Sequence, residues 1–191
     1  MNATWPLLSP LEATSWAELP ADSSGELVDG VIVEEELPDY LHELVVAWLV
    51  ATLRSWAVPR GGVVGGSEAK FLLGPRLGRK PDVSVFVPPN LPPRRGPVTI
   101  PPLLMIEVLS RAPSDVRRDR IQKTAEYEAF GVAHFWIVDP EAKTIEGYVL
   151  GDKGRYERAF SGSSGNVEAV GFEGLVLDLD GLWEEGQRLG E

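Results

Sequence analysis

A mixed α/β fold is what this 191-residue sequence predicts, and three observations predict it. Asp29-Gly30 sits between the apolar runs Glu26-Leu-Val and Val31-Ile-Val, a strong hairpin signal, because both central residues of the tightest β-turns need positive φ. Residues 40–56 place apolar side chains at 41, 44, 45, 48, 49 and 53, the spacing of one helix face. Farther on, Asp82-Val-Ser-Val-Phe-Val87, Leu103-Leu-Met-Ile-Glu-Val-Leu109 and Ala133-His-Phe-Trp-Ile-Val-Asp139 read as strands, with a helical stretch before the last of them. With 43% hydrophobic residues the chain can bury one substantial core. A single domain over 1–191 is therefore expected, with a helical turn and hairpin in 1–36, a core in 40–150 and a C-terminal extension in 151–191.

Taken in order, Ser15-Trp-Ala-Glu18 has capping-box spacing and predicts a short helix that starts there and ends before Pro20. The hairpin follows, then the helix over 40–56, which Pro59 and Gly61-Gly62 stop. Strands are expected at about 63–73, 82–87 and 103–109, the last two joined by a Pro- and Arg-rich loop from Pro88 to Pro97. A second helix is expected from Ser114, as N-cap, to about Phe130, with Gly131 ending it in the left-handed conformation. Residues 133–139 and 144–150 predict a strand and its hairpin partner. Beyond the Ser161–Gly165 turn, a short strand or two and a helical turn around Leu182-Trp183 complete the chain.

Composition narrows the functional classes. There is no cysteine, which removes thiol nucleophiles, cysteine zinc sites and disulfides. No apolar run is read as a membrane span and the first residues carry no signal-peptide pattern, so a soluble, cytoplasmic protein is expected. The net charge of −11 is unevenly distributed. Residues 1–53 hold ten acids and no Lys or Arg, residues 124–191 hold fourteen acids and five bases, and residues 54–123 between them hold thirteen bases and five acids. A basic centre between acidic ends fits a local patch that draws in a polyanion; the plain alternative is that the blocks neutralise one another in the fold.

Glu107 is the residue that most needs an explanation. In its strand Leu104, Ile106 and Val108 point one way and Leu103, Met105 and Leu109 the other, so Glu107 shares an otherwise apolar face. Burying an unpaired carboxylate costs several kcal/mol or more, so a cation, a metal ion or a hydrogen-bond donor must meet it. If the strands of Asp82 and Glu107 pair, the two acids supply the hard oxygen ligands that Mg²⁺ or Mn²⁺ takes. Taken singly, Asp82 also reads as a turn carboxylate at a strand start, and Glu107 as the buried partner of an Arg. Arg94, Arg95, Arg111, Arg117, Arg118 and Arg120 are candidate phosphate contacts, since the guanidinium fork matches phosphate oxygens. The sequence contains no zinc finger, helix-turn-helix, aromatic RNA-binding motif or P-loop.

In order, Glu26-Leu-Val-Asp-Gly30, His42, Pro81-Asp82, Glu107-Val-Leu-Ser110, Asp119-x-x-x-Lys123-x-x-x-Tyr127 and Gly131-Val-x-x-Phe-Trp-Ile-Val-Asp139 resemble a large bacterial family of restriction-endonuclease-like proteins within the PD-(D/E)xK nuclease superfamily. The resemblance spans roughly residues 14–183. It implies a restriction-endonuclease-like core, a central mixed sheet flanked by helices, and Mg²⁺-dependent cleavage of phosphodiester bonds in a nucleic acid, DNA being the expected partner. Asp82 and Glu107 would be the metal ligands. The superfamily's lysine, two residues after the glutamate, is Leu109 here, and Lys123 is the candidate replacement, with Asp119, Lys123 and Tyr127 on one helix face. Lys70 and Lys80 are weaker rivals, and an ordinary exposed Asp119–Lys123 pair is the alternative to any catalytic role. His42 matches the pattern as a supporting residue, whereas His134 reads as structural. A catalytically inactive binding module of the same fold, nucleic-acid- or protein-binding, is the second reading, and a homodimer would suit the cutting of two strands.

Overall fold

The computed structural model describes residues 10–20, 25–34, 38–110 and 118–190, apart from the side chains of Arg118 and Asp119. The centre is a six-stranded mixed sheet in which β3 (Val63–Gly65), β6 (Val83–Phe86), β7 (Leu104–Val108), β8 (His134–Asp139), β9 (Thr144–Leu150) and β10 (Tyr156–Gly162) lie side by side in that order. Every pair is antiparallel except β7 with β8. That parallel pair needs a crossover, which ends in α3 (Thr124–Phe130); Gly131 stops the helix at φ 87°, as the sequence predicts.

Each face of the sheet carries its own apolar layer. On one face α2 (Tyr40–Ala57) lays Val45, Leu49 and Leu53 over Val83, Val85, Leu104, Ile106 and Val108. On the other, Tyr127 of α3 joins Met105, Leu109, Phe135 and Ile137. This is the alternation expected for β7, with the even-numbered residues under α2 and the odd-numbered ones facing α3. The helix with its final turn, Tyr40–Arg60, is long and apolar enough to meet the composition of a membrane span, which the sequence reading had not anticipated. Its apolar stripe is the one packed on the sheet.

A second sheet flanks the first, in the order β2 (Val31–Val33), β1 (Glu26–Val28), β5 (Leu77–Arg79), β4 (Phe71–Gly74). The hairpin turns through Asp29 and Gly30 at φ 51° and 81°, as its sequence requires. Edge strand β2 leaves Val31 and Ile32 exposed. The single strand expected over 63–73 is instead two strands in different sheets, with β5 hairpinned back on β4. The short N-terminal helix, α1 (Ala13–Ala17), starts before Ser15, and Glu12 at its N-cap makes no side-chain cap, so the capping box does not form. At the C-terminus β11 (Asn166–Glu168) and β12 (Val176–Asp178) pair and lead into α4 (Leu179–Gln187), a full helix where a turn was expected. Ser114, the expected N-cap of the second helix, lies outside the described residues.

Trp16 of α1 closes the second sheet by lying flat on Gly78, where a Cβ would come within 2.3 Å of the indole. Gly78→Ala must displace that ring and is expected to destabilise the fold by about 1–3 kcal/mol in urea titrations, with Trp16→Leu on the same background recovering part of the loss.

Candidate active site

Glu107, next to last in β7, is buried between two strands and below α3. Its Oε2 accepts from Lys123 Nζ at 2.8 Å and its Oε1 from the Tyr127 hydroxyl at 2.5 Å. Lys123 and Tyr127 are one helical step apart, which is why both reach a single carboxylate. Burial first, and then the Glu107 charge, push the Tyr127 pKa well above its ordinary value, so the phenol stays a neutral donor. Leu109, where the superfamily pattern carries its lysine, is packed in the apolar layer beside Tyr127. The ammonium reaches Glu107 from the helix instead.

Lys123 Nζ also lies 3.5 Å from Glu26 Oε2, and Glu26 opens a second layer of buried charge. Arg79, fully buried, donates from Nη1 to Glu26 Oε2 at 2.7 Å and from Nε and Nη2 to the two oxygens of Glu126 at 2.7 and 2.8 Å. Burial would lower the Arg79 pKa, but the Glu126 and Glu26 carboxylates raise it overall and keep the guanidinium charged. Glu26 Oε1 accepts from the Lys80 amide at 2.7 Å, which locks β1 to the end of β5. Glu26, Arg79 and Glu126 were not singled out as site residues from sequence. The signals were the place of Glu26 at the head of the Glu26-Leu-Val-Asp-Gly30 motif and the block structure of the charge, an acidic N-terminal segment able to neutralise a basic centre.

Asp82 immediately precedes β6, whose Val83 pairs with Ile106. Its Oδ2 accepts from the Val108 amide at 2.7 Å, so this carboxylate lies against the peptide that joins Glu107 to Val108. The same oxygen is 3.4 Å from His42 Nε2. His42 stands in the first turn of α2, where Asp39 caps its amide at 2.9 Å, and its Nδ1 faces Glu43 at 3.6 Å with no hydrogen bond. Burial lowers the His42 pKa, but the hydrogen bond and charge of Asp82, helped by Glu43, outweigh it and leave the pKa raised. Asp82, Glu107, Lys123 and His42 thus come to one end of the central sheet, delivered by β6, β7, the α3 region and α2.

The remaining candidates are scattered. Arg94 and Arg95 are exposed in the loop that joins the far ends of β6 and β7. Arg120 is held by Glu146 at 2.6 Å and faces Asp139 at 3.8 Å. Arg111 and Arg117 lie outside the described residues, as do the side chains of Arg118 and Asp119. Lys70 is drawn away to the carbonyls of Trp16 and Leu19, and Lys80 Nζ pairs with exposed Glu68. His134 lies edge-on to Phe172, and burial lowers its pKa.

The donors around Glu107 are hard oxygens, which suits Mg²⁺ or Mn²⁺. Among the described residues Glu26, Asp82, Glu107 and Glu126 set four formal negative charges against the two positive ones of Arg79 and Lys123, a surplus that a divalent ion would complement. Among the described residues, however, no three His, Asp or Glu side chains are grouped to hold an ion, and the Glu107 oxygens meet Lys123 and Tyr127.

In metal-free protein the His42 pKa is expected above 6.5. Its stabilising contribution is complete below that ordinary value and is lost as pH rises through the raised one. In Asp82→Asn, burial acts with less opposition and the pKa should fall, as read from the imidazole resonances in an NMR titration.

No curated protein matches the chain. Among solved structures it is similar to one described as a putative nuclease belonging to DUF820 from Anabaena variabilis ATCC 29413, with a TM-score of 0.71 and 21% identity over 92% of this chain and 99% of that one. That likeness shows a shared fold, a central mixed sheet flanked by helices. The family model Uma2, described as "Putative restriction endonuclease", matches residues 12–180, and the chain belongs to that family.

Proposed function

We propose that the protein is a divalent-metal-dependent endonuclease that hydrolyses phosphodiester bonds, with DNA as its substrate. The observation that carries this reading is the meeting of Lys123 with Glu107 at 2.8 Å, beside an Asp82 carboxylate bound to the next amide of the same strand. An acid pair with an adjacent ammonium at one end of a sheet suits phosphoryl chemistry, in which positioning and charge do most of the catalytic work. The family description and the nuclease similarity point the same way.

Asp82 and Glu107 would hold the cation, with Glu26 close behind Lys123. Such an ion, when bound, supplies a water of lowered pKa and offsets negative charge on the phosphoryl oxygens. The protein's own groups do the rest. His42 fixes the Asp82 carboxylate on one side and the Val108 amide fixes it on the other. Tyr127 aims Glu107 by donating its hydroxyl to Oε1. Lys123, released in part from Glu107, would face the scissile phosphate and hold the attacking water. The water oxygen bonds to phosphorus as one ester P–O bond breaks; the water gives up one proton and the leaving oxygen gains one.

The test uses plasmid DNA with Mg²⁺, with Mn²⁺ and with chelator. Cleavage in either metal and none in chelator is expected, with Asp82→Asn and Glu107→Gln lowering the rate by about 100-fold or more while the folded fraction stays high. Lys123→Ala leaves Glu107 buried without its cation and should destabilise by about 3–5 kcal/mol, so Lys123→Arg is the better kinetic probe. Full activity in the Asp82 or Glu107 variant would exclude this site. Salt-sensitive DNA binding with no metal-dependent cleavage would select the alternative, a catalytically inactive binding module, which the occupied Glu107 oxygens and Leu109 favour.

A further inference from the structure

Glu107 has a counterpart on the same sheet face. Glu107 pairs with Ile137, and Ile137 pairs with Glu146, so the two glutamates point the same way from β7 and β9, two strands and roughly 10 Å apart. Among the described residues, each is hydrogen-bonded by a cation and a tyrosine. Glu107 takes Lys123 and Tyr127, while Glu146 takes Arg120 Nη1 at 2.6 Å on Oε1 and the Tyr148 hydroxyl at 2.5 Å on Oε2. Both cations come from one short segment, Arg118–Lys123, wound as a π-helix immediately before α3. The i→i+5 turn is wider than an α-turn and spreads side chains three apart around the axis, so one segment can reach two strands. Burial would raise the Glu146 pKa, yet Tyr148 and Arg120 bring it below the ordinary carboxylate value, and Tyr148 itself is pushed up to about 12.

We propose that Arg120, held by a Glu146 that Tyr148 orients and facing Asp139, is a positioning residue that moors the π-helical turn on β9 so that Lys123, three residues on, delivers its ammonium to Glu107. The proposal rests on the nuclease reading for its kinetic consequence, but not for its structural one. Widened helical turns are an unfavourable local geometry that needs tertiary contacts to persist, and they gather at functional sites. Here Ile121 is 60% exposed and supplies no apolar anchor for the turn, and among its described side chains Arg120 and Lys123 tie it to the sheet. Arg120 therefore acts through Lys123 and not as a contact of the nucleic acid.

Glu146→Gln separates the two roles of Arg120, because it keeps the shape of the clamp and removes its charge. The first measurement needs no nuclease activity: acetylation of Lys123 by acetic anhydride, quantified by mass spectrometry. Lys123 is 2% exposed and should be protected in the parent protein. Its labelling should rise by about tenfold in Glu146→Gln, the order of effect typical of a lost supporting contact, with the urea midpoint little changed. The charge-swapped double variant Arg120→Glu, Glu146→Arg should restore protection. Labelling equal to the parent in Glu146→Gln overturns the proposal, whether or not the protein cuts DNA. The second measurement is kinetic. Glu146→Gln should lower kcat by about 10–100-fold with little change in KM. If Arg120 were instead a phosphate contact, freeing it from Glu146 would lower KM and steepen the salt dependence, and that result also overturns the proposal. Absence of cleavage by the parent protein would defeat the nuclease reading and leave the labelling result to decide the clamp.

Discussion

A carboxylate buried at the position of Glu107 cannot stand without a positive partner, and much of the molecule is arranged to supply one. The sheet around it is apolar on both faces, so solvent does not share the charge. Removing one member of a buried ion pair typically costs about 3–5 kcal/mol, more than most single side-chain contacts contribute. Lys123 must therefore be delivered with its stem covered and its head aimed. The crossover from β7 to β8 achieves this by ending in a helix that lies over the glutamate it serves, with Tyr127 one turn below.

The same requirement spreads outward. Lys123 near one carboxylate would leave its outer side bare, and Glu26 fills it; Glu26 then needs Arg79, and Arg79 needs Glu126. The chain of charges ties the flanking sheet, through β1 and β5, to α3 and so to the central sheet. Replacing such a network by well-packed apolar side chains is often neutral or stabilising in other proteins. Its presence here fits a site that has to hold charge ready for use, and its cost is spread over enough partners that no member stands uncompensated.

Local signals carried most of the fold. Asp29-Gly30 fixes its turn by backbone chemistry alone, α2 by its apolar spacing and its stop before Pro59, and α3 by Gly131. Each of these is decided within a few residues. Glu107 was legible as a problem because an acid in an otherwise apolar strand has few solutions, and the resemblance pointed to a metal shared with Asp82 and to Lys123 as the replacement for the superfamily lysine. The pairing of Glu26 with Arg79 was not legible, although Glu26 heads a motif of the resemblance: each sits in a three-residue strand, too short for alternation to reveal a buried face, and they meet across 53 positions of sequence. The split of residues 63–73 between two sheets escaped for a related reason, since apolar strands of different sheets look alike in one dimension. The π-helical turn leaves no periodicity to read, being defined by which strands Arg120 and Lys123 grasp.

Part of the basic centre of the sequence is spent on contacts within the fold. Arg79 and Lys123 are buried among carboxylates, Arg120 is held by Glu146, and Lys70 and Arg60 are drawn to backbone carbonyls. What faces a polyanion is therefore less positive than the count of Lys and Arg in residues 54–123 suggests. Long-range repulsion from the acidic ends matters less than it first appears, because at physiological salt charges are screened beyond roughly 8 Å. The local balance decides. Among the described residues around Glu107, four carboxylates face Arg79 and Lys123, so on the nuclease reading a divalent ion would cancel the two surplus negative charges and lift the repulsion of a phosphate. Substrate and metal would then bind with positive coupling, each raising the affinity for the other by the same factor.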